Sequence, residues 1–159
     1  GADTAQCKSC FKWFVGKGGL CPICADSHRD TDVLFVVEKD ADLEAVRQSG
    51  TYDGHFFVLG GLIPILEKEP QSKVRLRELG AIITERLSAK ATDKKLKEVV
   101  IALAVNPEGD HTIDILKQAL KQFADQGLRL TVLGRGLSTG TELEYSDVET
   151  LKNALRNRS

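Results

Sequence analysis

The sequence predicts an α/β protein: a mainly parallel four-stranded sheet flanked by helices, preceded by a small four-cysteine module. Three observations predict it. Short apolar runs alternate with stretches of helical periodicity, the order expected when strands are joined by helical crossovers. Those runs are apolar throughout, as strands are when both faces of a sheet are covered. All four cysteines of the 159-residue chain fall within its first 24 residues.

The elements follow in order. Val33-Leu34-Phe35-Val36-Val37 is the first strand, and Asp40 can cap a short helix carrying Leu43 and Val46. Phe56 to Leu59 is the second strand, ended by Gly60-Gly61. Leu76, Leu79, Ile83 and Leu87 recur at steps of three and four, an amphipathic helix. Ser88 to Lys97 is polar and charged, an exposed connection, and Val99 to Val105 is the third strand. Ile113, Leu116, Leu120 and Phe123 form one helical stripe closed by Gly127. Leu128 to Leu133 is the fourth strand, and Ser146 with Glu149 makes a capping box for a last helix holding Val148, Leu151 and Leu155.

Composition excludes several classes. With 42% hydrophobic and 28% charged residues, the chain is neither a disordered tail nor a membrane protein. Its longest apolar runs fall far short of the roughly 20 residues that span a bilayer. Neither an export signal nor a membrane anchor is visible, so a cytoplasmic location is expected; the absence of Met points to a processed or trimmed start. A formal net charge of −1 argues against a strongly cationic, non-specific nucleic-acid binder.

The cysteines form two pairs, Cys7-x-x-Cys10 and Cys21-x-x-Cys24, with ten residues between them. Two residues between sulfurs let a tight knuckle aim both at one ion, and a second knuckle completes a tetrahedron. Gly16, Gly18 and Gly19 permit the reversal between them. Disulfides or a redox pair are the competing readings; a chain without an export signal, and a doubled pair at this spacing, favour zinc. Four sulfurs close the coordination shell, so such a zinc is structural, and His28 is read as a surface residue. Residues 1–29 are taken as this module and residues 30–159 as the α/β domain with its C-terminal helix. Phe11, Trp13 and Phe14 lie among Lys8, Lys12 and Lys17, a pattern that could stack on bases and meet phosphates. The simpler reading, preferred here, makes the three rings a mini-core for so small a module.

Acidic residues fall at the ends of the first and third strands: Glu38 with Asp42, and Glu108 with Asp110. In open α/β sheets chemistry gathers there. Carboxylates converging from adjacent strands would suit Mg²⁺, whereas Asp40, Asp42 and Asp110 can equally serve as caps and charges at helix starts. Gly60-Gly61, Gly134-x-Gly136 and Gly140 match no phosphate-loop pattern and are read as turns. His55 and His111 lie beside no Ser–acid arrangement.

Taken in order, these segments resemble the RecR family of bacterial recombination mediators, in which a four-cysteine zinc module directly precedes a Toprim domain. The resemblance runs through Cys21-Pro22-Ile23-Cys24, Arg29-Asp30, Val36-Val37-Glu38, Asp42-Leu43, Gly50-x-Tyr52-x-Gly54, Val58-Leu59-Gly60-Gly61 and Pro64. It continues at Glu98-Val99-Val100-Ile101-Ala102 and Glu108-Gly109-Asp110-x-Thr112. It closes with Gly136, Gly140, Glu142-Leu143-Glu144-Tyr145, Asp147, Thr150-Leu151, Ala154-Leu155 and Arg158. Glu38 and Asp42 match the first Toprim acidic motif, with Lys39 in place of its Gly; Glu108 and Asp110 match the second, with Glu in place of its leading Asp.

The resemblance implies a non-enzymatic recombination mediator in DNA repair. Such a protein binds single-stranded or gapped DNA, meets RecO-like and RecF-like proteins, forms a homodimer or ring, and carries structural zinc with Mg²⁺ optional. On the family pattern the acidic set Glu38, Asp42, Glu108 and Asp110 is a contact surface for DNA or a partner, and the helix-hairpin-helix region that normally precedes the cysteines is expected to be missing. Two other readings stand beside it: an active Mg²⁺-dependent nuclease or primase-like Toprim enzyme, and a protein-interaction module that has lost DNA binding.

Overall fold

The computed structural model describes residues 3–89, 94–134 and 148–159. A two-stranded antiparallel hairpin opens it, β1 (Thr4–Gln6) pairing with β2 (Trp13–Val15), followed by a single-turn helix α1 (Pro22–Ala25). The α/β portion runs β3 (Val33–Val37), α2 (Asp40–Ser49), β4 (His55–Val58), α3 (Leu76–Leu87), β5 (Glu98–Ala102), α4 (Pro107–Ala119), α5 (Lys121–Ala124), β6 (Arg129–Val132) and α6 (Val148–Arg156). Its four strands lie in the order β4-β3-β5-β6, every neighbouring pair parallel. The α/β fold class is borne out, and the expected first strand and the helix at Leu76 begin where the pattern places them. Helix α2 differs in its cap: Lys39 holds the cap position, Asp42 accepts its N–H at 3.0 Å, and Asp40 is the first helical residue.

Side-chain alternation sorts the apolar strands between two cores. Leu34, Val36, Phe57, Val99 and Ile101 face one way and meet Leu79 and Ile83 of α3, Ile113 and Leu116 of α4, and Phe123 of α5. Phe35, Val37, Phe56, Val58, Val100 and Ala102 face the other way, onto Leu43 and Val46 of α2 and Leu151 and Ala154 of α6. Covering both faces is what the continuous apolar runs demanded.

The second strand lies one residue earlier than expected, His55–Val58, and the fourth is one residue shorter at each end, Arg129–Val132. Three larger differences have clear causes. The third strand stops at Ala102, before Val105, because Asn106-Pro107 starts a helix: the Asn106 side chain accepts the Gly109 N–H at 2.7 Å and Pro107 fills the first turn. The stripe from Ile113 to Phe123 is two helices, α4 and α5, broken at Leu120. Ser88 to Lys97 is not wholly exposed, since Leu96 is buried and its N–H donates to the Arg86 carbonyl at 3.3 Å. The capping role expected of Ser146, and the matched positions from Gly136 to Asp147, lie outside the described residues.

Both outer strands have partners beyond the sheet. At β4, the Val58 N–H donates to the Cys10 carbonyl at 2.8 Å, so the cysteine module lies along that edge. At β6, Val132 and Ser159 exchange backbone hydrogen bonds of 2.8 and 3.1 Å. Unpaired strand edges invite association with other chains, and these contacts cover the carboxyl-terminal residue of each. Among the described residues no helix is long and apolar enough to cross a membrane.

Candidate functional site

The cysteine module is built from the turn outward. The Phe11 N–H donates to the Cys7 carbonyl at 3.0 Å and the Cys7 N–H to the Lys12 carbonyl at 2.8 Å, closing a loop in which Phe11 takes a φ of +67°. That loop turns Cys7 and Cys10 inward. The second pair sits at the start of α1, with Pro22 in its first turn and the Ala25 N–H donating to the Cys21 carbonyl at 2.9 Å. All four Sγ atoms come within 4.8 Å of one another.

Several observations test whether this quartet suits a metal. The Sγ atoms of Cys10 and Cys21 are 3.7 Å apart, close to the edge of about 3.8 Å that follows from metal–sulfur bonds of about 2.3 Å in a tetrahedron. Backbone N–H groups of Ser9, Cys10 and Cys21 point at the Cys7 sulfur at 3.3 to 3.5 Å, and the Lys12 N–H at the Cys10 sulfur at 3.5 Å. Such donors stabilise thiolate. The shared hydrogen bond between Cys10 and Cys21 holds the Cys21 thiol well below its ordinary range and pushes Cys10 well above it. Crowded sulfurs thus compete for protons that a divalent cation would replace. The arrangement is compatible with structural zinc. His28 is exposed beside Asp26, in agreement with its reading as a surface residue.

The module straddles the β4 edge. Cys7, Cys10 and Cys21 belong to the core beneath α2 and α6. Phe11 reaches round to the opposite face, its ring 5.5 Å from that of Phe57 and beneath the Arg75 guanidinium at 5.3 Å. Arg75 is itself seated by Nη1 donating to the Val58 carbonyl at 2.9 Å. Gly60 takes a φ of +99° directly beside it. A second clamp comes from α3, where Arg86 donates to the Ser9 hydroxyl at 3.1 Å. The expected three-ring mini-core is corrected here: Phe11 and Phe14 pack inward, whereas Trp13 remains 56% exposed.

At the carboxyl ends of the sheet, β3 and β5 are adjacent, as convergence of the acidic residues requires. Asp42, however, is buried and accepts the Lys39 N–H at 3.0 Å, capping α2. Glu38 is half-buried just past β3, and its carbonyl accepts the Gly60 N–H at 2.9 Å. Glu108 is exposed and Asp110 half-buried in the first turn of α4, where carboxylates complement the helix dipole. Among the described residues, only the cysteine quartet brings three or more metal-ligand atoms so close together.

Sequence reasoning missed two groups in this region. Asn106 is the true cap of α4, and an Asn-Pro pair ahead of the periodic stretch was the available signal. Thr112 is fully buried; its hydroxyl donates to the Glu108 carbonyl and accepts the Ile63 N–H, both at 2.8 Å, tying the loop after β4 to α4. Gly109 beside it is required, because a Cβ there would run into the Ala104 carbonyl oxygen. His55 is buried and driven down to about 4, first by burial and then by Arg86 and Arg29, so at neutral pH it is uncharged.

Comparison with known proteins agrees with this anatomy. A family model described as the Toprim domain matches residues 32–134, and one described as RecR, C-terminal, matches residues 136–159. Recombination protein RecR of Bdellovibrio bacteriovorus is 32% identical over 157 residues, 99% of this chain and 74% of that protein. Its counterpart in Roseiflexus is 39% identical over 152 residues, 96% of this chain and 68% of the relative. That of Legionella pneumophila is 33% identical over 155 residues, 98% and 71% of the two chains. With a parallel Toprim sheet, a four-cysteine module on its edge and near end-to-end similarity to these proteins, the chain belongs to the RecR family.

Proposed function

We propose that this protein is a non-catalytic recombination mediator in DNA repair. It binds single-stranded or gapped DNA and partner proteins of the RecO and RecF kind, and so helps a recombinase load at gaps. Residues 1–29 form the metal module and residues 30–159 the Toprim domain. Cys7, Cys10, Cys21 and Cys24 hold one zinc. The ion supplies a cross-link between the two knuckles, and the residues around it transmit that rigidity: Phe11 and Arg75 to one face of the sheet, Cys10 to the edge of β4, and Ser9 to Arg86 on α3.

The observation that carries the reading is how the chain's ligating residues are used. The quartet is a set of four sulfurs, a shell that leaves no open position for a substrate, while Asp42 of the acidic set is buried as a helix cap. Glu38, Glu108 and Asp110 then serve as a contact surface.

Two measurements test the proposal. Solution mass with and without a single-stranded oligonucleotide should show a complex that weakens as salt rises, since phosphate contacts release counterions. Labelled DNA incubated with Mg²⁺ or Mn²⁺ should stay intact. Cutting that is abolished by Glu108→Gln would establish a Toprim enzyme instead, and a chain that ignores DNA at low salt would be an interaction module.

A further inference from the structure

Trp13 is the chain's single tryptophan, and its neighbours take the packing role without it. Phe11 and Phe14 turn inward, while Trp13 is 56% and Val15 72% exposed. Residues 13 and 15 alternate with Phe14 along β2, so both project from the same outward face of the hairpin. With Thr4, Lys12, Phe14 and Pro22 they line an open groove of about 420 Å³.

Charge says what that groove suits. From Thr4 to Cys24 the chain carries Lys8, Lys12 and Lys17 and no Asp or Glu. The carboxylates that reach it from α2 are already engaged: Asp40 accepts the Trp13 backbone N–H at 3.1 Å, and Glu44 pairs with Lys12 at 3.3 Å and Arg47 at 2.7 Å. Asp3, whose carbonyl accepts the Gly16 N–H at 3.0 Å, adds one exposed carboxylate at the open end of the hairpin. Lys8 and Lys17 are exposed, and neither joins an ion pair among the described residues. The lysine lining the groove, Lys12, is shared with Glu44, so the free positive charge comes from Lys8 and Lys17 of the same module. A flat indole on a short, doubly anchored hairpin that carries such lysines is the combination that binds unpaired bases: the ring stacks, and the ammonium groups meet the backbone phosphates.

We propose that the Trp13–Val15 face of the hairpin is a binding surface for single-stranded nucleic acid, with Trp13 stacking on a base and the module's lysines contacting phosphates. This rests on the DNA-binding reading above and gives it a location. Duplex bases are stacked on one another and offer only phosphates at this face, so single strands are preferred.

Trp13 is its own reporter. The zinc-loaded chain is titrated with a thymidine oligonucleotide of about 15 residues, long enough to cover a typical site. Intrinsic fluorescence should quench saturably, and less so as salt rises. By anisotropy of a labelled oligonucleotide, Trp13→Ala should bind roughly tenfold more weakly and Trp13→Phe close to wild type, as loss of one stacked base implies. Lys17→Gln should flatten the salt dependence. Unchanged zinc content and circular dichroism establish that each variant is folded. If the oligonucleotide binds wild type and Trp13→Ala equally and leaves the fluorescence untouched, this surface is wrong while DNA binding stands. If no oligonucleotide binds at all, both fall. If Trp13→Ala instead abolishes a concentration-dependent increase in mass without DNA, the face serves a second copy of the chain and the proposal is overturned.

Discussion

Arg158, near the end of the chain, grips Glu98, the first residue of β5, through two hydrogen bonds: Nε to one carboxylate oxygen at 2.7 Å and Nη2 to the other at 3.1 Å. Glu98 is buried and also accepts the Thr131 hydroxyl at 2.6 Å. The fork thus fastens the segment after α6 to the amino-terminal end of the sheet, opposite the acidic residues that follow β3 and β5. A planar guanidinium suits this two-point contact as an ammonium does not.

That pairing makes stability depend on acid. Burial alone would raise the Glu98 carboxyl, but hydrogen bonds from Arg158 and Thr131 outweigh it and hold it below the ordinary value. The stabilisation is therefore full above about pH 4.3, the unfolded carboxylate value, and is lost as pH falls through the lower folded value. Glu98→Gln should cost roughly 1.5–3 kcal/mol at pH 7, because the Arg158 guanidinium loses its charge partner and one of the two accepting oxygens becomes a donor. Urea unfolding at pH 7 and at pH 3 should show the gap between variant and wild type narrowing at the lower pH.

Two glycines should respond oppositely to the same change. In Gly109→Ala the new methyl meets the Ala104 carbonyl, a backbone atom that cannot swing aside, and overpacking of this kind costs roughly 1–3 kcal/mol. Gly80, inside α3, has open space where a Cβ would stand, so Gly80→Ala should stabilise by about 0.5–1 kcal/mol through helix propensity. Thermal or urea midpoints of the two variants check the sign of each.

Metal removal should be felt beyond the cysteines. Elemental analysis is expected to find about one zinc per chain, and chelation should unfold the module. Because the Val58 N–H is bonded to the Cys10 carbonyl, its amide should then exchange with solvent markedly faster, while buried amides of central β5 keep their protection. Equal protection of Val58 with and without chelator would separate the quartet from the sheet edge.

The tie between Thr112 and Ile63 offers a test at the carboxyl ends of the strands. Thr112→Val keeps the shape but leaves the Ile63 N–H without its acceptor in a buried place, a loss of about 1–3 kcal/mol. Thr112→Ser retains the hydroxyl and should recover most of that loss, leaving the cost of one methyl. Denaturant midpoints of the pair distinguish a hydrogen bond from packing.

Much of this architecture was legible in one dimension because its signals are local. A continuous apolar run such as Val33–Val37 declares a strand covered on both faces, and Asp40 with Leu43 and Val46 declares the helix after it. Paired cysteines two residues apart declare a knuckle. The Asn106-Pro107 start of α4 was equally local and simply overlooked. Trp13 was not legible, because three aromatic residues in a short module look alike in sequence. It takes the alternation of a three-residue strand to turn Phe14 inward and Trp13 out, and the loop at Phe11, with its φ of +67°, to turn that ring inward.

Periodicity and spacing act over a few residues, and they were enough to set the fold class, the strand cores and the cysteine quartet. Folding in three dimensions was needed to bury Asp42, to put Phe11 and the sulfurs on opposite sides of β4, and to bring Glu98 to Arg158 across 60 positions of chain. The physical reason is the same in each case. Burial and pairing depend on which distant segments share a surface, and that is set only when strand order and the two helical layers have closed around one sheet.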